Sequence, residues 1–211
     1  MNSHFFTKEI GPMMRWLSRI GFLGLFSFEL ANYFGILKNG LDYTWFGLLI
    51  TALGALVGIE GSAYLLRRKA GVEMPWIVWP IGLGAVLFDV IGDTYHLYER
   101  VYWFDQLAHF LGTLVATLFF QIFFRTLQRV KGWNYPPVVN WLLALGMGMT
   151  LGVLYEIEEY LEDMIGAANR LGDGEDTAND LLCNFLGASS LIGVAWLRRT
   201  FFKRGALDKF F

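Results

Sequence analysis

One cysteine, Cys183, stands in 211 residues. It excludes an internal disulfide and says little about compartment. Charge is scarce as well: 17% of residues are charged and 55% hydrophobic, with a mean hydropathy of +0.43. A soluble domain this apolar would be unusual, and the apolar residues come in long blocks rather than alternating stripes. No linker or shift of composition marks a second domain. No Ser or Cys nucleophile has a plausible base, Cys183 included. The later apolar blocks show no clear Gly/Pro break at mid-length, where transporters often unwind.

What is present is six blocks near the roughly 20 residues needed to cross a bilayer. They run about 15–37, 44–66, 76–98, 104–125, 138–162 and 178–198. The expected fold is all-α: a polytopic bundle of six transmembrane helices forming a single domain over residues 1–211. Lys8, Arg15 and Arg19 resemble the start of a signal peptide. Glu29 and Asn32 interrupt the block that follows, and no small-residue cleavage site is seen, so a retained helix is expected.

The net charge of −2 conceals an asymmetry. Basic residues gather near the N-terminus, at Arg67-Arg68-Lys69, at Arg125, Arg129 and Lys131, and at Arg198, Arg199, Lys203, Arg204 and Lys209. These are alternate ends of the blocks, which predicts cytoplasmic N- and C-termini. Such residues suit contact with anionic lipids, not a nucleic-acid surface. An outer aromatic belt is expected from Tyr43, Trp45, Tyr98, Tyr102, Trp103, Tyr155 and Tyr160, and an inner one from Trp76, Trp79, Trp133 and Trp141. The Gly- and Asp-rich stretch 164–177 reads as an outer loop, a candidate lid or ligand contact. Thr177 or Asp176 is expected to cap the sixth helix, and Pro136-Pro137 to turn the chain into the fifth.

The fourth and sixth blocks carry nearly one phrase. Asp105 and His109 precede Phe110-Leu111-Gly112, and Asp180 and Asn184 precede Phe185-Leu186-Gly187. Residues four apart share a helix face, about 6 Å apart along the axis. The blocks before them carry Asp89, Asp93 and His96, then Glu156, Glu159 and Asp163. This suggests that helices three-four and five-six repeat one hairpin, with halves at about 76–125 and 138–198 and a site between them. The spacings Gly54–Gly58 and Gly148–Gly152 suggest close helix packing.

Carboxylates cost about 2.5–3.5 kcal/mol each at mid-bilayer on insertion scales, and they mark functional sites. No Lys or Arg lies on these four helices at the depth of the cluster, so the offset is expected from a divalent cation, shared protons or a water-filled vestibule. Asp93, Asp105, His109, Glu156, Glu159 and Asp180 are the candidate metal ligands, in keeping with the chemistry of hard and borderline ions. His109 and Glu156 are the candidate catalytic bases. Asp89, His96, Asn184 and Asp176 are candidate supporting or substrate residues. Glu158 and Glu162 are expected to face water, with Asp163, Asp173 and Glu175 in an acidic rim. Glu29 and Glu60 are each expected to hydrogen-bond Ser or backbone.

Phe104-Asp105-Gln106-Leu107-Ala108-His109-Phe110, Glu156-Ile157-Glu158-Glu159-Tyr160 and Asp176-Thr177-Ala178-Asn179-Asp180 through Asn184 to Gly187-Ala188 resemble the signature of the YjdF-like bacterial inner-membrane family, a domain of unknown function. More distantly they are similar to the VanZ-like family, with its Asp-Lys-x-x-His-Phe, Glu-x-x-Gln and Asp-x-x-x-Asn-x-x-Gly pattern. The resemblance covers roughly residues 85–195. It implies a multi-pass helical protein of the bacterial inner membrane and a cell-envelope context. Gln106 replaces the VanZ-like Lys, Glu159 replaces Gln, and an outer-loop Trp of the YjdF-like family is missing; the more acidic site favours a cation.

Three functions stay open at this stage. One is a metal-assisted hydrolase or transferase acting on a lipid-linked or envelope substrate. Another is an ion or proton transporter using the same cluster, and the third a non-catalytic envelope scaffold. Membrane lipids are the expected partners, and a homo-oligomer is compatible with any of the three.

Overall fold

The computed structural model describes residues 3–166 and 170–201, with side chains described for 10–166 and 170–197. Lys8, Arg198, Arg199, Lys203, Arg204 and Lys209 therefore lie outside the described side chains, as do residues 167–169 of the expected outer loop. All regular elements among the described residues are helices: α1 (Ser3–Tyr33), α2 (Trp45–Ala70), α3 (Val78–Thr94), α4 (Leu97–Arg100), α5 (Phe104–Lys131), α6 (Pro137–Gly166) and α7 (Gly174–Phe201). They group into two compact units, Met1–Tyr102 and Trp103–Phe211. In the first, α1, α2 and α3 pack on one another and α4 packs on α3; in the second, α5, α6 and α7 pack together. The boundary falls inside the hairpin expected over 76–125.

Among the described residues, four helices are long and apolar enough to cross a membrane: α2, α5, α6, and α7 over Gly174–Leu197. The other two expected crossings correspond to α1 and α3. With 17 residues, α3 is about 26 Å long, short of a hydrocarbon core of about 30 Å. It stops because the chain turns at His96, whose φ is 58°. The block expected to continue to residue 98 thus breaks into α3 and the single turn of α4. Helix α1 is long enough, but Arg15 and Arg19 enter its middle and Glu29 and Asn32 its end. The chain is an all-α membrane protein.

The second unit is polar and small inside, apolar outside. Helix α5 buries His109, Thr113, Thr117 and Gln121. Helix α6 buries Asn140, Ala144, Gly148, Gly152 and Glu156 at the same spacing, and α7 buries Asp180, Asn184 and Ala188. Steps of four keep close to one face of a 3.6-residue helix. The opposite faces expose Leu143, Met147, Leu151 and Ile157 on α6, and Leu182, Phe185 and Leu186 on α7. This is the pattern lipid selects, because helices there gain from close packing and hydrogen bonds rather than from hiding apolar surface.

Small residues set how near the helices come. A side chain at Gly148 would strike the Thr117 hydroxyl, and one at Gly152 would strike Asn184 and Thr113. At Gly187, α7 lies against the Phe110 carbonyl of α5, with no room for a Cβ. Gly54 and Gly58, by contrast, face open space. Pro137 opens α6 as expected. Two belt residues are corrected: Trp79 and Trp141 are buried, at 1% and 5% exposure. Trp141 packs on Leu191 and Ala195, and the Trp79 indole donates to Glu60 at 2.8 Å.

Candidate functional site: a carboxylate–histidine cluster

Three helices of the second unit bring the cluster together. Asp105 lies in the first turn of α5 and His109 one turn on; α7 contributes Asp180 and Asn184, and α6 contributes Glu156 and Glu159. The two similar phrases therefore meet within one unit, across the α5–α7 contact. His109 is the centre. Its Nε2 lies 3.6 Å from Asp105 Oδ1 and 4.0 Å from Asp180 Oδ1, while Nδ1 lies 3.4 Å from Glu156 Oε1. The His109 and Asp180 side chains are 3% exposed, against 22% for Asp105, so the cluster opens past Asp105.

Both Glu156 oxygens and Asp180 Oδ1 are buried with no hydrogen-bond partner among the described residues. Ionised oxygens in that state are expensive, so a positive partner or a proton is needed. Two sets of three groups place ligand atoms within 4.8 Å of one another: Asp105, His109 and Asp180, and His109, Glu156 and Glu159. Tyr155 meets the His109 ring edge-on at 5.6 Å. One turn further along α5, the Thr113 hydroxyl reaches the His109 carbonyl and lies 3.2 Å from Asn184 Oδ1, tying α5 to α7.

The α6 carboxylates do have a cation, and it comes from the loop. Arg170 is buried, with its guanidinium 2.8 Å from Glu162, 3.3 Å from Glu159 and 3.5 Å from Glu158. It also donates to the Tyr155 hydroxyl at 2.8 Å and lies over that ring. The N–H groups of Arg170 and Leu171 donate to the Asp163 carboxylate at 2.9 and 3.0 Å, which shapes the loop that delivers the guanidinium. Glu162 is thus buried at 6% exposure rather than facing water. Asp173, not Thr177 or Asp176, caps α7: its carboxylate accepts the N–H groups of Glu175 and Asp176 at 2.9 and 3.0 Å. The Asp176 side chain packs against Gly172 and leaves no place there for a Cβ, and the φ of 64° at this position favours glycine as well.

Residues 23–201 match the family described as predicted membrane protein (DUF2238). The chain belongs to that family. A protein of Thermotoga maritima, described as an uncharacterized protein, is 31% identical over 115 residues, which is 54% of this chain and 58% of that protein. The chain thus matches little more than half the length of this relative. No solved structure matches.

The remaining candidates of this DUF2238 chain lie in its first unit. Asp93 Oδ1 accepts the N–H groups of Asp42 and Tyr43 at 2.7 and 2.9 Å. The Asp42 carboxylate in turn pairs with His96 Nδ1 and accepts the Glu99 N–H at 3.3 Å. Asp89 accepts the Tyr98 hydroxyl at 2.7 Å. The Asp93 and His96 bonds fasten the α1–α2 loop to the corner between α3 and α4, and the Asp89 bond ties α3 to α4, a structural use of all three candidates. Asp42, His96 and Glu99 form a third group with ligand-like spacing, which the sequence pattern did not suggest. Glu60 is held by Arg19 through two bonds of 2.6 and 2.8 Å, where Ser or backbone was expected.

Arg170, Tyr155 and Thr113 are the site residues that pattern reading missed. A signal existed for Arg170: it is the single basic residue between Lys131 and Arg198, amid a run of carboxylates. Its partners were illegible because the loop folds back along α6.

Proposed function

We propose that the second unit holds a divalent cation on Asp105, Asp180 and His109 Nε2. The observation that carries this reading is the buried pair beside His109, Asp180 Oδ1 and the Glu156 carboxylate, whose oxygens find no hydrogen-bond donor among the described residues. Arg170 selects between the two ligand sets. Its guanidinium already offsets Glu159, which disfavours the set that contains Glu159 and leaves Asp180 Oδ1 as the buried ligand atom of the other. Atoms bound to one ion at about 2.1 Å stand roughly 3.0–3.4 Å apart, so spacings of 3.6 and 4.0 Å need only slight side-chain movement. Glu156, at Nδ1, then orients the imidazole in the usual carboxylate–histidine–metal manner. Asp93, engaged by two backbone N–H groups, is left out of the ligand set.

Bound there, the ion would polarise a phosphoryl or acyl oxygen or acidify a water. His109 would hold it, Glu156 at Nδ1 would be the group placed to take a proton, and Asp105 would stand nearest the opening. We read the protein as a metal-assisted hydrolase or transferase for a lipid-linked or envelope substrate that arrives within the bilayer. In this reading it is a six-pass, YjdF-like protein of the bacterial inner membrane, more distantly VanZ-like. Both termini are cytoplasmic, α1 crosses as the more polar member and α3 as the shortest, and the two phrases descend from one hairpin. The cluster lies about 33 Å from the C-terminus of α5, near which Arg125, Arg129 and Lys131 stand, which supports an outward-facing site. A C-terminal alkaline phosphatase fusion should be inactive and a fluorescent-protein fusion bright; the reverse would invert the topology.

Metal content tests the site. Protein purified in mild detergent without chelator should carry near-stoichiometric metal by mass spectrometry, or bind Mn²⁺ or Zn²⁺ on addition. An Asp105→Asn, Asp180→Asn double variant that stays folded should do neither. A wild-type protein that neither carries nor binds metal would end the reading.

Ion or proton transport is favoured by one observation: Glu29 is 0% exposed, with neither oxygen hydrogen-bonded among the described residues. Proteoliposome flux lost in Glu29→Gln would select this reading; a flux-free protein with hydrolytic activity would exclude it.

A further inference from the structure

A cavity of about 280 Å³ opens in the first unit, where the first half of α1 meets the last turns of α2 and the start of α3. Arg15, Arg19 and Arg67 line it together with Glu60 and Glu73. The arginines are held in place rather than scattered. Arg19 grips Glu60 through two bonds, and Arg15 pairs with Glu73 at 2.5 Å. Both guanidinium groups also lie over the Trp79 ring, at 5.4 and 5.6 Å from its centre. Because Glu60 accepts the Trp79 indole N–H as well, two guanidiniums, an indole and a carboxylate lock one another.

The charges do not balance. Three guanidiniums meet two carboxylates at this cavity. Arg67 is exposed and joins no ion pair among the described residues. Arg15 Nε is buried with no acceptor among them, and a buried donor left without an acceptor is costly. An anion with several oxygens would serve both groups at once. The volume is at the small end for ligand pockets, which suits a headgroup rather than a nucleotide.

Position names the source of that anion. Arg67, Arg68 and Lys69 fill the last turn of α2, a candidate membrane span. The cavity therefore lies where that apolar helix ends, at the level of lipid headgroups, and basic pockets between helices there take anionic lipids. Trp16, 64% exposed on the rim, is the residue type that prefers this depth. We infer that this cavity binds the phosphate of an anionic phospholipid, held by Arg15 and Arg67 against Trp16 and Trp79, with Arg19 fixed by Glu60 as a positioning residue.

The test uses the full chain in a neutral detergent at constant ionic strength. Its thermal midpoint is titrated with short-chain phosphatidylglycerol, phosphatidylcholine and inorganic phosphate. Phosphatidylglycerol should raise the midpoint saturably and phosphatidylcholine should not. Arg67→Gln, at an exposed position, should weaken half-saturation about tenfold. Arg68→Gln makes the same change of charge one residue on, outside the cavity, and should stay within about twofold of wild type. Lipid-free midpoints of both variants check that they fold, and Arg67→Lys should recover part of the binding. Equal weakening by the two Gln variants would reduce the effect to general surface attraction and overturn the site. So would equal response to the two lipids. An equally strong, Arg67-dependent response to inorganic phosphate would overturn the lipid source.

Discussion

Arg170 Nη1 lies 2.8 Å from Glu162 Oε2, eight residues back along the chain, and both side chains are buried. A loop residue thus supplies the charge that α6 lacks. Removing one member of a buried ion pair leaves its partner charged in a poor solvent, which costs about 3–5 kcal/mol.

Arg170→Gln should therefore lower unfolding stability in detergent by about that amount, since Glu158, Glu159 and Glu162 lose their common cation. Arg170→Lys should recover only part, because an ammonium cannot reproduce the guanidinium fork that also reaches Tyr155. Denaturant curves for Arg170→Gln that overlay wild type would refute the structural importance of the pair.

The glycines separate packing from propensity. Gly187→Ala would push a Cβ into the Phe110 carbonyl, and overpacking of this kind costs about 1–3 kcal/mol. Gly193→Ala, on the same helix but facing open space, should be neutral or slightly stabilising through helix propensity. Equal melting temperatures for the two variants would contradict the close approach of α5 and α7.

Cation affinity should rank the carboxylates. In calorimetric titrations with Mn²⁺, Asp180→Asn should abolish binding, and Glu156→Gln should weaken it about 10–100-fold, as loss of a residue that orients a ligand does. Glu159→Gln, whose partner is Arg170, should leave affinity nearly unchanged. The opposite order would move the ion to the Glu156–Glu159 side of His109.

The first unit offers an independent check. Asp93→Ala removes the acceptor for the N–H groups of Asp42 and Tyr43, and unmade buried bonds cost about 1–3 kcal/mol. Asp93→Asn keeps an acceptor oxygen and should lose less. Hydrogen exchange should speed up at those two amides; unchanged protection in Asp93→Ala would show that the loop is held by something else.

Much of this arrangement was legible in the one-dimensional pattern. Block length and apolarity placed six helices, with α2, α5, α6 and α7 the most evident. Steps of four put Asp105 with His109 and Asp180 with Asn184 on common faces, because the pitch of a helix is local and independent of the fold. The glycines at 148 and 152 announced a close contact for the same reason. Where α3 stops was not legible, since the left-handed turn at His96 depends on an ion pair with Asp42, distant along the chain.

What the amino-acid order determined by itself was the helices and their polar stripes; these follow from spacing and composition, which need no neighbours. Only the tertiary structure decided that Asp93 and His96 fasten a loop in one unit while Asp105, His109, Glu156 and Asp180 gather in the other. It also decided that Arg170 folds back onto α6 and Trp79 sits under two arginines. The physical reason is that burial and charge pairing are set by which groups approach through space. A carboxylate four residues from another declares its helix face, but whether it meets a guanidinium, a backbone N–H or nothing at all depends on residues far away along the chain.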